Sequence, residues 1–196
     1  MTHIYISNVL ELSDEDFEEK YLTLNKESQM RVDRKKNKHE ANRSLHAYLL
    51  LKCALAKNGV VNFEFAINGN GKPYLKGQKD VFFNISHSAD RVMCAVSDGE
   101  VGCDVQEISH VREGFAERFF APEEAISVKS DEDFYRFWTL KESVAKAKGV
   151  PFMEVCKIPL ETSAANMHTK HFTCDGYSFA VCAEKDGFCE PQTVNV

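Results

Sequence analysis

An apolar strand running into the same turn occurs twice in this chain, and that repeat limits the folds open to it. Cys94-Ala95-Val96-Ser97-Asp98-Gly99 returns in outline as Cys182-Ala183-Glu184-Lys185-Asp186-Gly187, 88 residues later in a chain of 196. An echo at nearly half the length points to a duplicated α+β unit, with halves at roughly residues 1–100 and 101–196. No low-complexity linker separates them, so tight packing of the halves is expected. A composition of 43% hydrophobic and 28% charged residues suits a globular chain with a sizeable core, and fourteen Phe can supply much of it.

Local signals fill in the elements. His3 to Ile6 reads as a strand, and Ser13-Asp14-Glu15-Asp16 as a capped start for a helix over 14–23. Lys26 to Lys38 and Glu40 to Lys57 read as two more helices, the second closed by Asn58-Gly59. Asn68-Gly69-Asn70-Gly71 is a turn, after which Pro73 forces Lys72 into an extended conformation. Val81 to Ile85 reads as a strand entering a polar corner, Ser86-His87-Ser88. Arg91 to Ser97 and Glu100 to Glu107 read as strands, and Asp98-Gly99 between them predicts a hairpin. Alternation on the second strand puts Asp104 and Gln106 on one face, and Gly102 beside them admits a close backbone approach.

Further on, Phe115 to Phe120 reads as helical and Pro122 opens a short helix. Asp131 to Lys148 forms a long helix closed by Gly149 and Pro151. On it, Trp138, Glu142 and Lys146 fall at i, i+4 and i+8 and form one stripe. That stripe suits a site holding a metal and a phosphate, and equally a surface Glu–Lys pair. Strands are predicted near Val155 to Leu160, over His171 to Cys174 and over Tyr177 to Ala183.

Several function classes are excluded. Seven cysteines without a C-x-x-C pair give neither a disulfide framework nor a thiolate zinc site. They imply a reducing compartment, so a cytoplasmic location is expected. No apolar run is long enough to span a membrane, and the amino terminus does not read as a signal peptide. A net charge of −6 argues against nucleic-acid binding. Residues 31 to 43 nevertheless carry six Lys or Arg, a block suited to a phosphorylated ligand, an acidic protein or a solvated helix face. Neither a P-loop nor a dinucleotide-binding glycine turn is present. His168 and His171 lack a third metal ligand and read as part of a polar loop.

Four segments then stand together in order: Gly71-Lys72-Pro73, Phe83-Asn84-Ile85-Ser86-His87-Ser88, Val101-Gly102-Cys103-Asp104 and Trp138-Thr139-Leu140-Lys141-Glu142-Ser143. With Arg43, Arg118-Phe119-Phe120 and the last apolar strand, they make the chain resemble the Sfp-type 4′-phosphopantetheinyl transferases over nearly its whole length. The resemblance implies a pseudo-dimer of two similar α+β halves with the active cleft between them. It implies an Mg²⁺-dependent enzyme, with Mn²⁺ as an alternative, that moves phosphopantetheine from coenzyme A to a serine of an acyl or peptidyl carrier protein. Adenosine 3′,5′-bisphosphate would be the other product. Fused halves would make a monomer sufficient, with no nucleic acid or membrane partner.

Residue by residue, the resemblance implies that Arg31, Arg43, Ser44, Lys72, Pro73, Ser86, His87 and Lys146 hold coenzyme A. Asp104, Gln106 and Glu142 match the metal ligands, and Glu142, Lys146 and His87 the catalytic set. Glu142 is the candidate base, directly or through water. Two positions depart from the family pattern. Gln106 stands where a third acid is usual, and Ser28 where relatives carry a lysine, for which Arg31, Arg34 or Lys35 can compensate. Two other readings accompany this one: a non-catalytic module binding coenzyme A or a carrier protein, and a metal-dependent phosphohydrolase, which lacks an evident second metal cluster.

Overall fold

Two sheets of three and four strands carry the fold, and each takes a first strand and a closing hairpin from one passage of the chain, with helices between them. The computed structural model describes residues 1–196. The first passage runs through β1 (His3–Asn8), α1 (Asp14–Leu22), α2 (Lys26–Asp33), α3 (Lys38–Lys57), a small hairpin of β2 (Phe65–Ile67) and β3 (Pro73–Leu75), β4 (Phe82–Ser88) and β5 (Arg91–Ser97). The second runs through β6 (Val101–Glu107), α4 (Phe115–Phe119), α5 (Pro122–Ser127), α6 (Asp131–Lys148), α7 (Leu160–Ser163), β7 (His168–Cys174) and β8 (Tyr177–Ala183), and β9 (Gln192–Thr193) follows. The sheets are ordered β4-β5-β1-β9 and β6-β8-β7. In both, the last strand of a hairpin lies in the middle and the first strand of the passage flanks it. The strands bearing the repeated Cys-Ala, β5 and β8, thus hold equivalent places in an α+β fold.

The long helices form where their caps dictate. Asn37 accepts a hydrogen bond from the Glu40 amide (2.8 Å) and starts α3, and Ser130 accepts one from Asp133 (3.1 Å) and starts α6. Acids fill the first turn of α6, and Gly149 ends it at a left-handed φ of 67°. One core packs α3 against the first sheet through Leu45, Leu50, Leu51 and Leu55, all wholly buried, each contributing about 1.5–3 kcal/mol of burial. A second core joins the sheets themselves, with Ile4, Met93 and Ala95 meeting Val101, Cys103, Val105 and Phe179. Val144 and Ala147 pack α6 against Cys182 of the second sheet.

At the junction of the sheets, β4 lies beside β6 without a backbone ladder between them. Side chains of β4 bridge instead. Asn84 Oδ1 accepts the Cys103 amide at 2.9 Å, Ser86 Oγ accepts Val105 at 3.4 Å, and Ser88 Oγ accepts Glu107 at 3.1 Å. Alternate residues on one strand thereby satisfy alternate amides on the other. The tail closes the far edge: β9 pairs in parallel with β1, and Cys189 donates to the Thr2 carbonyl at 2.9 Å.

Five local expectations are corrected. β5 and β6 do not form a hairpin, because both edges of β5 are already filled by β4 and β1, so the chain leaves Asp98-Gly99 for the other sheet. Ser86-His87-Ser88 continues β4 rather than turning, since its hydroxyls are needed along the junction. Val155 to Leu160 is not a strand: a 3₁₀ turn over Phe152–Glu154 and the start of α7 follow Pro151 and Pro159. His168 to His171 lies in the edge strand β7, paired with β8, not in a loop. Lys26 to Lys38 is not one helix, because Asn37 caps a new one. No helix is long and apolar enough to cross a membrane.

Asn84→Ala would leave the buried Cys103 amide without its acceptor. It should lower unfolding stability by about 1–3 kcal/mol in urea titrations, and an unchanged midpoint would remove the junction from the account.

Candidate active site

A cleft of about 430 Å³ takes its walls from both passages of the chain. The first supplies Arg31 of α2, Arg34 and Lys35 after it, Ser44 and Tyr48 of α3, and Ser86 and His87 of β4. The second supplies Asp104 and Gln106 of β6 and Glu142 and Lys146 of α6. Basic groups line one wall and carboxylates the other.

Asp104 is the buried centre, 1% exposed, and a charge held so deep requires partners. Lys146 Nζ lies 2.6 Å from its Oδ1, and Ser86 donates its hydroxyl to the same oxygen at 2.8 Å. Gln106 donates Nε2 to Oδ2 at 3.1 Å, and Lys146 also donates to Ser86 Oγ at 3.0 Å. Burial is the largest influence and opposes the Lys146 charge, but Asp104, Cys103 and Glu142 act together against it and leave the lysine pKa raised. For Glu142, burial is the main cause of a raised pKa, Lys146 pulls it down, and the negative charge of Asp104 adds to the rise.

One glycine makes this convergence possible. A Cβ on Gly102 would fall 2.1 Å from the Ser143 carbonyl oxygen and 2.3 Å from the Ala147 nitrogen. The backbone of α6 therefore rests directly on β6, and Asp104, two residues along, comes under the face that bears Glu142 and Lys146. The close approach expected at Gly102 is filled by this helix.

On the opposite wall, His87 is exposed at the cleft. Crowding by the protein, then the charges of Arg43, Lys35 and Lys146, lower its pKa to about 4, so its ring is neutral near pH 7. Arg43 holds its Nε buried without a hydrogen-bond partner. Arg31 lies over the Phe65 ring at 5.4 Å and lines the same cleft.

The structure therefore brings Arg31, Ser44, Ser86, His87, Asp104, Gln106, Glu142 and Lys146 to one cleft. Arg43 adjoins it through His87. Lys72 and Pro73 lie elsewhere, beside a cavity of about 300 Å³. Lys72 is engaged by Glu100 at 2.5 Å and the Ala147 carbonyl at 2.9 Å. Gln106 turns its amide nitrogen, not its oxygen, to Asp104. Ser28 is buried and opens on a separate cavity of about 680 Å³. Tyr48 was not anticipated as a wall residue, nor Asn84 as a junction acceptor, although the period-two run Asn84, Ser86, Ser88 carried the signal for the latter.

The donor set of two carboxylates suits a hard divalent cation that keeps part of its water shell. No group of three or more His, Cys, Asp or Glu gathers in the chain.

Residues 100–194 match the family model described as the 4′-phosphopantetheinyl transferase superfamily. A Bacillus subtilis protein named 4′-phosphopantetheinyl transferase is 27% identical, covering 95% of this chain and 93% of its own. The gsp transferase of Aneurinibacillus migulanus is 37% identical over 64% of this chain and 56% of its own. The AcpT transferase of Escherichia coli K12 is 30% identical over 61% and 65%.

Gly102→Ala should push α6 off β6 and lower both the thermal midpoint and the activity; retention of both would refute the close-contact account. Glu142 provides a test with the opposite sign. Its pKa is higher folded than unfolded, so the native state loses stability as pH rises from the ordinary carboxylate range through the raised value. Glu142→Gln should therefore raise the thermal midpoint at about pH 7 but not at about pH 3, as read by calorimetry at both.

Proposed function

We propose that the chain, whose residues 100–194 match the 4′-phosphopantetheinyl transferase superfamily model, transfers the phosphopantetheine arm of coenzyme A to a serine of a carrier protein, in the manner of the Sfp-type enzymes. The observation that carries this reading is the two-walled cleft, in which Arg31, Arg34 and Lys35 face Asp104, Glu142 and Lys146. Coenzyme A brings a diphosphate and a 3′-phosphate, and a wall of cations without ion pairs suits them.

The carrier serine attacks the phosphorus that bears the pantetheine arm. A new serine O–P bond forms as the bond to the adenosine 3′,5′-bisphosphate oxygen breaks. Glu142, its pKa raised by burial, accepts the serine proton directly or through water. Lys146 offsets charge growing on the leaving phosphate, and His87 lies on the wall where the nucleotide phosphates would sit. A bound Mg²⁺, or Mn²⁺ in its place, would be held by Asp104 and Glu142 with water and would neutralise diphosphate charge. Gln106, as placed, steadies Asp104 and would reach the metal through its oxygen only after its amide turned.

The same proposal takes residues 1–100 and 101–196 as two pseudo-symmetric α+β halves with the cleft between them. A monomer is then sufficient. Seven unpaired thiols suit a reducing cytoplasm.

Incubation with coenzyme A, Mg²⁺ and a panel of apo carrier proteins tests the proposal by mass spectrometry of the carriers. Carriers should gain one phosphopantetheine group. Coenzyme A cleaved without carrier, or carriers unchanged throughout the panel, would refute the transfer. Glu142→Ala should slow transfer by about 10²–10⁴-fold with the fold retained. A second test uses His87. A phosphate beside it would raise its pKa above the free value of about 4, so coenzyme A binding should take up a proton. Affinity should fall as pH rises between the free and bound values, and His87→Gln should flatten that dependence in calorimetric titrations.

A further inference from the structure

Lys141 has no part in the chemistry above, yet it is an ammonium group with 0% exposure beside Glu142 in sequence. Its Nζ lies 2.8 Å from Glu124 Oε2 and donates to the Ile158 carbonyl at 2.6 Å. Glu124, 6% exposed, accepts the Leu160 amide on Oε1 at 2.7 Å and the Ala121 amide on Oε2 at 3.1 Å. One ion pair thus ties α6 to the amino end of α5 and to the turn entering α7.

A pair this deep is a poor source of stability, because desolvation offsets the attraction and apolar side chains of like volume do as well. It does supply direction. An ammonium with two fixed acceptors allows α6 one rotation about its axis. Successive helical residues point about 100° apart, so with Lys141 tied to α5, Glu142 is turned into the cleft. Lys146 follows from Glu142 at i+4 on the same face. The contact of Gly102 with Ser143 and Ala147 sets how closely α6 approaches β6, but a glycine contact alone restrains rotation weakly.

We propose that the Lys141–Glu124 pair is a positioning device for the transfer reaction: it sets the rotation of α6, and with it the placement of Glu142 and Lys146 against Asp104. This rests on the transfer reading above.

Lys141→Met alone strands the Glu124 charge in the interior and is expected to unfold the chain. The test therefore uses E124Q/K141M, which removes both charges and keeps an acceptor for the Leu160 amide. This variant should stay folded, with a urea midpoint lowered only by the lost bonds to Ala121 and Ile158, while kcat per folded molecule falls about 100-fold, with a much smaller change in KM for coenzyme A. Trp138, the single Trp, gives a readout independent of activity. It sits on α6 against Phe152 at 4.5 Å and Phe119 at 5.3 Å, so its emission should shift when α6 turns. Wild-type kcat, or a kcat that falls only with the folded fraction, would overturn the proposal, as would unchanged Trp138 emission. If the wild-type protein transferred to no carrier, the transfer reading would fail, and the emission would still decide whether the pair orients α6.

Discussion

The site depends on a row of side-chain acceptors that takes the place of a β-ladder. Where β4 meets β6, Asn84, Ser86 and Ser88 accept the amides of Cys103, Val105 and Glu107. A backbone ladder would hold the strands about 4.8 Å apart and merge the sheets. Side-chain bridging keeps two separate sheets and leaves room for a cleft along their junction. Ser86 belongs to both structures: it bridges to Val105 and also donates to Asp104. The bond that joins the sheets is therefore continuous with the polar network that holds the buried acid.

Charge is divided along the same line. The first passage brings Arg31, Arg34 and Lys35 to the cleft without ion pairs, and the second brings two carboxylates and one lysine. Asp104 is neutralised by the protein's own groups, with Lys146 and Ser86 on one oxygen and Gln106 on the other. Any cation arriving at Asp104 must displace or share those partners. Glu142 is the opposite case, a carboxylate kept uncomfortable by burial, and discomfort of that kind makes a carboxylate more basic.

Much of this was legible in the sequence because its periodicities are local. The i, i+4, i+8 stripe placed Glu142 and Lys146 on one face of α6, and the alternation of β6 placed Asp104 beside Gln106. Gly102 announced a close neighbour without naming it. The repeated Cys-Ala-x-x-Asp-Gly marked two strands that occupy matching sheet positions. What failed depended on distant partners. Asp98-Gly99 is a sound hairpin signal, but β1, nearly ninety residues earlier, already holds the edge that β6 would need. Ser86-His87-Ser88 looked like a corner because its acceptor role requires β6 alongside. The engagement of Lys72 by Glu100 and Ala147 depends on α6 ending where it does, which no local pattern around Lys72 reveals.

The returning tail has a consequence for how the chain must be handled. Residues 187–194 supply β1 with its outer neighbour: Gly187 and Cys189 bond to Thr2, and Val194 donates to Ile6. A version ending before residue 187 would present the outer rim of β1 bare, and an uncovered rim of that kind recruits strands from other molecules. Shortened expression products of this protein would thus be prone to self-association even though every cleft residue were retained, and an affinity tag is better attached where it does not pull on that returning segment.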